Sequence, residues 1–121
     1  MSNFLKLEGI TGESDNPWHI GEFDIISAVL NYTSPNQHTE FSRSGKVLGD
    51  VSVTRKQERD SNKLMSASRE GKTFSSGQIT LESTGKILIL DMNNIAIIAY
   101  SLHKSIETIS LAYGSLDIEQ F

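Results

Sequence analysis

The sequence predicts a mainly β fold: a compact β-barrel of two packed antiparallel sheets, with one short flanking α-helix and one long extended loop. Three observations predict it. Short apolar segments recur along the chain, several with apolar and polar residues in alternation. Gly, Asn and Pro punctuate them. Only one stretch combines helical spacing with start and stop signals. The 121 residues are read as a single domain, 1–121, long enough to bury one core without covalent staples.

The elements follow in order. Phe4–Leu7 reads as a first strand, and Ile10 to Trp18 as a loop rich in Gly, Ser, Asp and Asn with Pro17. Phe23 to Tyr32 is a long strand of Ile, Val and Phe character. Thr33 to Lys46 is polar, holds Pro35 and Gly45, and is about twice the usual connection length, so it is expected to have a task of its own. Val47, Val51 and Val53 share one face of the next strand, and Asp50, Ser52 and Thr54 the other. The helix follows: Asp60 or Ser61 caps its start, Leu64 and Ala67 share a face, and Gly71 stops it beside Arg69 and Lys72. The C-terminal half reads as a meander of Gln78–Leu81, Lys86–Met92, Ile95–Leu102 and Thr108–Tyr113. Turns are predicted at Thr84-Gly85 and Asn93-Asn94, and a last strand runs through Leu116 and Ile118 to Phe121.

Composition excludes several function classes. Without cysteine there is no disulfide, thiolate zinc site or thiol nucleophile. The net charge of -4 and scattered basic residues oppose nucleic-acid binding. Arg55, Lys56 and Arg59 form the one basic group, read as a solvated strand end beside Glu58 and Asp60. No apolar run approaches the roughly 18 residues of a helical bilayer crossing, so no membrane insertion is expected. Met1 to Phe4 lacks a basic start and a long apolar stretch, so no cleaved signal peptide is expected.

Chemistry is sparse. His19, His38 and His103 show no metal-ligand spacing and are read as surface or loop histidines. No Gly-x-Ser-x-Gly elbow and no phosphate-cradling glycine loop is present. Glu13 and Asp15 lack the ligand density of a calcium loop and are read as a solvated turn. Trp18, next to Pro17, is either a lid over one end of the core or a binding anchor. No catalytic residue, cofactor site or metal site is assigned, and no enzymatic activity is expected.

Four stretches carry a resemblance. Phe4-Leu-Lys-Leu-Glu-Gly-Ile-Thr-Gly-Glu-Ser14 opens the chain, and His19 precedes Gly21-Glu-Phe-Asp-Ile-Ile-Ser27. Gly49-Asp-Val-Ser-Val-Thr-Arg-Lys56 leads to Asp60-Ser-Asn-Lys-Leu64, then Ala67, Gly71, Lys72 and Phe74. Glu107-Thr-Ile-Ser-Leu-Ala-Tyr113 comes late. In this order they resemble the haemolysin-coregulated protein (Hcp) family, which supplies the inner tube of type VI secretion. Two departures stand out: Asn62 occupies a position where the family usually has Pro, and the chain is shorter than many relatives, chiefly between Leu81 and Lys86 and before the late strand.

The resemblance implies a structural subunit that forms hexameric rings, which stack into a tube carrying small effectors during contractile secretion. Its partners would be itself, sheath and spike components, and small secreted effectors. It would reside in the bacterial cytoplasm and then be secreted to the extracellular space or a target cell. A bacteriophage tail-tube subunit and a small ligand-binding β-barrel are the alternatives. In the family, the loop matching Thr33–Lys46 reaches the neighbouring ring; His38, Glu40, Phe41 and Arg43 are therefore the expected stacking contacts, against the alternative of a mobile loop with no partner. Ser27 and Asn31, on the polar face of the Phe23–Tyr32 strand, are the expected lumen-facing residues.

Overall fold

A computed structural model describes residues 3–32 and 49–121. Eight strands and one helix follow in the order β1 (Asn3–Leu7), β2 (Phe23–Ile25), β3 (Ser27–Tyr32), β4 (Gly49–Lys56), α1 (Ser61–Glu70), β5 (Thr73–Ser83), β6 (Lys86–His103), β7 (Ile106–Ala112) and β8 (Ser115–Gln120). The mainly β class, with one helix among the described residues, is as expected. The strands make one antiparallel sheet, ordered β2-β1-β5-β6-β7-β4-β3, with β8 also pairing β6. This differs from two separate sheets.

The hydrogen-bond ladder is not closed, but the two strands at its ends are consecutive in the chain. The predicted long strand 23–32 is interrupted at Ile26, whose N–H donates to the Thr54 carbonyl at 2.7 Å. Before Ile26 the segment pairs with β1, Phe23 opposite Leu5. After it, the segment pairs with β4, Ala28 opposite Val53. A single segment thus changes partner, and covalent chain spans the seam that a ladder leaves open.

Alternation places the core. Leu5, Leu7, Phe23, Ile25, Val51, Val53, Ile79, Leu90, Ile109 and Leu111 gather with Leu64 and Ala67 of the helix. Fully burying a side chain such as Leu64 stabilises by about 1.5–3 kcal/mol. The helix packs on β6. Gly71, at φ 67°, ends it in the left-handed conformation, and the Lys72 N–H returns to the Ala67 carbonyl at 3.0 Å. Asp60 occupies the N-cap position without a side-chain capping bond, because its carboxylate is engaged elsewhere.

Two turns differ from expectation. Asn93-Asn94 does not end a hairpin: Lys86–His103 is one continuous strand. Asn94 does adopt a positive φ of 55°, the property that singled it out, but uses it inside the strand. There β6 exchanges β8, which pairs as far as Asn93, for β7, which pairs from Ala96. The Gly114 N–H caps the exchange by donating to the Asn93 and Asn94 carbonyls at 2.8 and 3.1 Å. Leu90 and Ile95 are both buried although five residues apart, a spacing that a regular strand puts on opposite faces. Ile79 and Phe74 on β5 show the same offset. The hairpin that does form, β6–β7, turns through Lys104 and Ser105 at φ 51° and 65°, without the Gly or Asn that signals such a turn.

Candidate assembly surface

The exposed side of the sheet carries two chemically distinct areas. On the first, β3, β4, β7 and β6 align small uncharged residues in cross-strand rows. Ser27 lies opposite Thr54, then Thr108 and Ser101; Val29 lies opposite Ser52, then Ser110 and Ala99. Each faces away from the core because its neighbours, including Val51, Val53, Ile109 and Leu111, face in. Ser27 and Asn31 are both exposed on this area. Asn31 closes it by donating to Asp50 Oδ1 at 2.8 Å, and its Nδ2 lies 3.4 Å from Ser52 Oγ.

The second area is charged. Lys6, Gln78, Asp91 and Asp117 form one cross-strand row over β1, β5, β6 and β8. Gln78 donates to Asp91 Oδ1 at 2.8 Å. Glu119 is raised above the usual carboxylate range by its hydrogen bond with Asp91, with smaller contributions from desolvation and the charges of Asp91 and Asp117. An open groove of about 230 Å³ runs along this row between Lys6 and Asn93.

At one end of the barrel wall lies a charged group that sequence reasoning misread. Arg55 is fully buried, not part of a solvated strand end. Its Nη2 meets Asp60 Oδ1 at 2.9 Å and Glu13 Oε2 at 3.4 Å, and its Nη1 meets Glu107 Oε1 at 3.2 Å. The guanidinium lies 5.2 Å from the Phe23 ring centre. Tyr100 donates its hydroxyl to Glu107; burial and that carboxylate push the phenol well above its ordinary value. Glu13 is likewise not a solvated turn residue. It accepts from the Asp24 N–H at 3.1 Å, and burial together with its hydrogen bond to Asp60 raises it to about 7. Burial opposes ionisation of Asp60, but the hydrogen bonds from Glu13 and Arg55 and the charge of Arg55 hold it below its ordinary 3.8. The signal was present: alternation puts Arg55 on the same face as Val51 and Val53, and Glu107 on that of Ile109 and Leu111.

The β1–β2 loop, residues 8–22, is pinned by its own backbone. Gly12 N–H donates to the Gly21 carbonyl at 2.7 Å, Gly21 to Ser14 at 3.1 Å and Ser14 to Glu22 at 2.9 Å. The His19 ring stacks on Phe4 with centres 4.0 Å apart and meets Glu22 at 3.1 Å. Trp18 is 88% exposed, which removes the reading of a lid over the core and leaves that of an anchor. Its N–H donates to Asn16 Oδ1 at 2.9 Å. His38, Glu40, Phe41 and Arg43 lie outside the described residues. Among the described residues no helix is long and apolar enough to cross a membrane, and no cluster of three His, Asp or Glu is placed to hold a metal.

Comparison with known proteins agrees with this architecture. No curated protein matches the sequence. Among solved structures, Hcp1 from Salmonella typhimurium superposes with a TM-score of 0.77 at 20% identity, over 99% of this chain and 93% of that one. Hcp2 from the same organism gives 0.74 at 20% identity, over 100% and 94%. A type VI secretion system effector from Yersinia pestis gives 0.74 at 17% identity, over 98% of both. These likenesses show the fold. A family model described as type VI secretion system effector, Hcp, matches residues 4–120. With nearly its whole length matched, the chain belongs to the Hcp family of type VI secretion proteins.

Proposed function

We propose that the protein is a structural subunit of the type VI inner tube and not an enzyme. Copies close into hexameric rings, rings stack, and small effectors travel in the lumen. The observation that carries this reading is the uncharged hydroxyl-rich sheet area from Ser27 to Ser101. A wall built from small polar side chains lets cargo slide without strong attachment, because no charge or deep apolar pocket holds it. Ser27 and Asn31 belong to that wall. Sheath and spike components of the contractile apparatus are its further partners. The subunit is made in the bacterial cytoplasm and is then secreted.

Stacking between rings falls to the loop Thr33–Lys46, with His38, Glu40, Phe41 and Arg43 as contacts, a reading that rests on its sequence and length. Negative-stain imaging of purified protein tests both levels. The native chain is expected to give rings and tubes. A variant with Gln37 to Arg43 replaced by a Gly/Ser linker is expected to give rings alone. Monomers from the native chain would sink the ring assignment, and undiminished tubes from the variant would place stacking elsewhere.

A further inference from the structure

One guanidinium serves three carboxylates in the Arg55 group, and all four side chains are largely withdrawn from water. Arg55 and Glu107 are 0% exposed, Asp60 7% and Glu13 16%. A buried cluster with that charge ratio favours keeping one carboxyl protonated, since like charges in low dielectric repel strongly. Glu107 is committed to Arg55 and Tyr100, which leaves Glu13 and Asp60, both on Arg55 Nη2 at 3.4 and 2.9 Å, as the pair suited to share the proton. These two belong to different parts of the fold. Glu13 is on the β1–β2 loop, and Asp60 is the residue before helix α1.

We propose that Glu13 and Asp60 form a proton-shared latch that holds the β1–β2 loop, with its exposed Trp18, against the start of helix α1 at and below neutral pH and loosens it above. Glu13 titrates near neutrality, which places the transition there. Loss of the shared proton leaves three negative charges around Arg55, and Glu13, the most exposed of them, is the one able to move to solvent. Among the described residues, the elements around Glu13 offer it few substitute partners. From β2 it receives only the Asp24 backbone N–H. From β4 it has Arg55, already shared, and through Arg55 it senses Glu107 of β7 and Tyr100 of β6. Arg59 and Lys63 line the open groove of about 340 Å³ beside it, together with Gly12 and Asp60. Both are exposed, so water and salt weaken their hold, and Lys63 is engaged with the Thr11 carbonyl at 2.7 Å.

Trp18 is the chain's single tryptophan and reports directly on its loop. In the full-length protein, Trp18 fluorescence anisotropy is expected to fall with a midpoint near pH 7 between about pH 5 and 9. Glu13→Gln, which keeps a neutral donor facing Asp60, should give a flat profile. Asp60→Asn leaves the burial of Glu13 but replaces the carboxylate whose hydrogen bond also raises it, and should move the midpoint to lower pH. A flat profile in the native protein overturns the latch. So does an unchanged transition in Glu13→Gln, which would assign the signal to neighbouring His19, or an unmoved midpoint in Asp60→Asn.

Discussion

Arg55 is the residue on which most of the polar interior depends. It is the only cation in contact with Glu13, Asp60 and Glu107 among the described residues. Replacing it by Met would leave the carboxylates buried without a counter-charge, a situation that costs about 3–5 kcal/mol. Arg55→Met is therefore expected to lower the unfolding free energy by about that amount in a urea titration, and Arg55→Lys to recover little, because an ammonium cannot reach three partners as a planar fork does. The same cluster sets a pH dependence. Glu13 is raised from its ordinary 4.5 to about 7, so the folded chain holds a proton that the unfolded chain releases. That contribution is fully present below about pH 4.5 and is lost as pH rises to about 7. Asp60, held below 3.8, works the other way: its contribution is present above that value and lost at lower pH. Stability measured by denaturation is expected to fall by roughly 2 kcal/mol from pH 5 to 7.5, and Glu13→Gln should remove most of that slope.

At the scale of elements, β5 and β6 show what local pattern can and cannot reveal. Val51 and Val53, Leu64 and Ala67, and the Thr84-Gly85 turn were legible because the information sits within a few neighbouring residues. The Phe74–Ile95 offset was not, since it depends on a left-handed Asn94 and on which strand lies on each side of β6. The Lys104-Ser105 turn lacked its usual residues, so nothing local announced it. Gly77 belongs to the same class. A Cβ there would lie 2.6 Å from Ile95 Cδ1 and 2.7 Å from the Lys6 carbonyl oxygen. The side chain could yield, but the backbone carbonyl belongs to paired β1, where Leu7 faces Gly77 in register. Gly77→Ala is expected to cost about 1–3 kcal/mol through overpacking, seen as a lower thermal midpoint with the same circular dichroism spectrum at low temperature.

For the molecule as a whole, the order of segments along the chain was more informative than any single motif. The sequence carried the class, the helix and the family resemblance from Phe4 to Tyr113. It did not carry the manner in which the wall closes, because Ile26 looks like any other strand residue. Nor did it show that Arg55 is internal, since its partners come from a loop, a helix start and a distant strand. Assembly brings a further consequence of composition. In the proposed hexamer, six copies at -4 each would carry a formal charge of 6 × -4 = -24, so contacts between copies are expected to use uncharged sheet surface. Ring-sized species on a sizing column should then persist from roughly 0.05 to 1 M salt, because screening removes repulsion without dissolving an apolar or neutral contact. Dissociation as salt rises would instead identify ion pairs as the holding force.

The pairing of β1 with β5 has a consequence for the order in which the protein is made. Asn3 faces Leu81, so β1 leaves the ribosome well ahead of β5, the strand with which it pairs along its whole length. At roughly 5–20 residues per second, the wait lasts several seconds or more. During that interval β1 can pair, among the described strands, with β2 through Asn3, Phe4 and Leu5, whereas β5, β6, β7 and β8 can pair with one another as they emerge. The apolar face of β1 is therefore expected to stay uncovered longer than those of β5 to β8 during synthesis, until it docks onto β5.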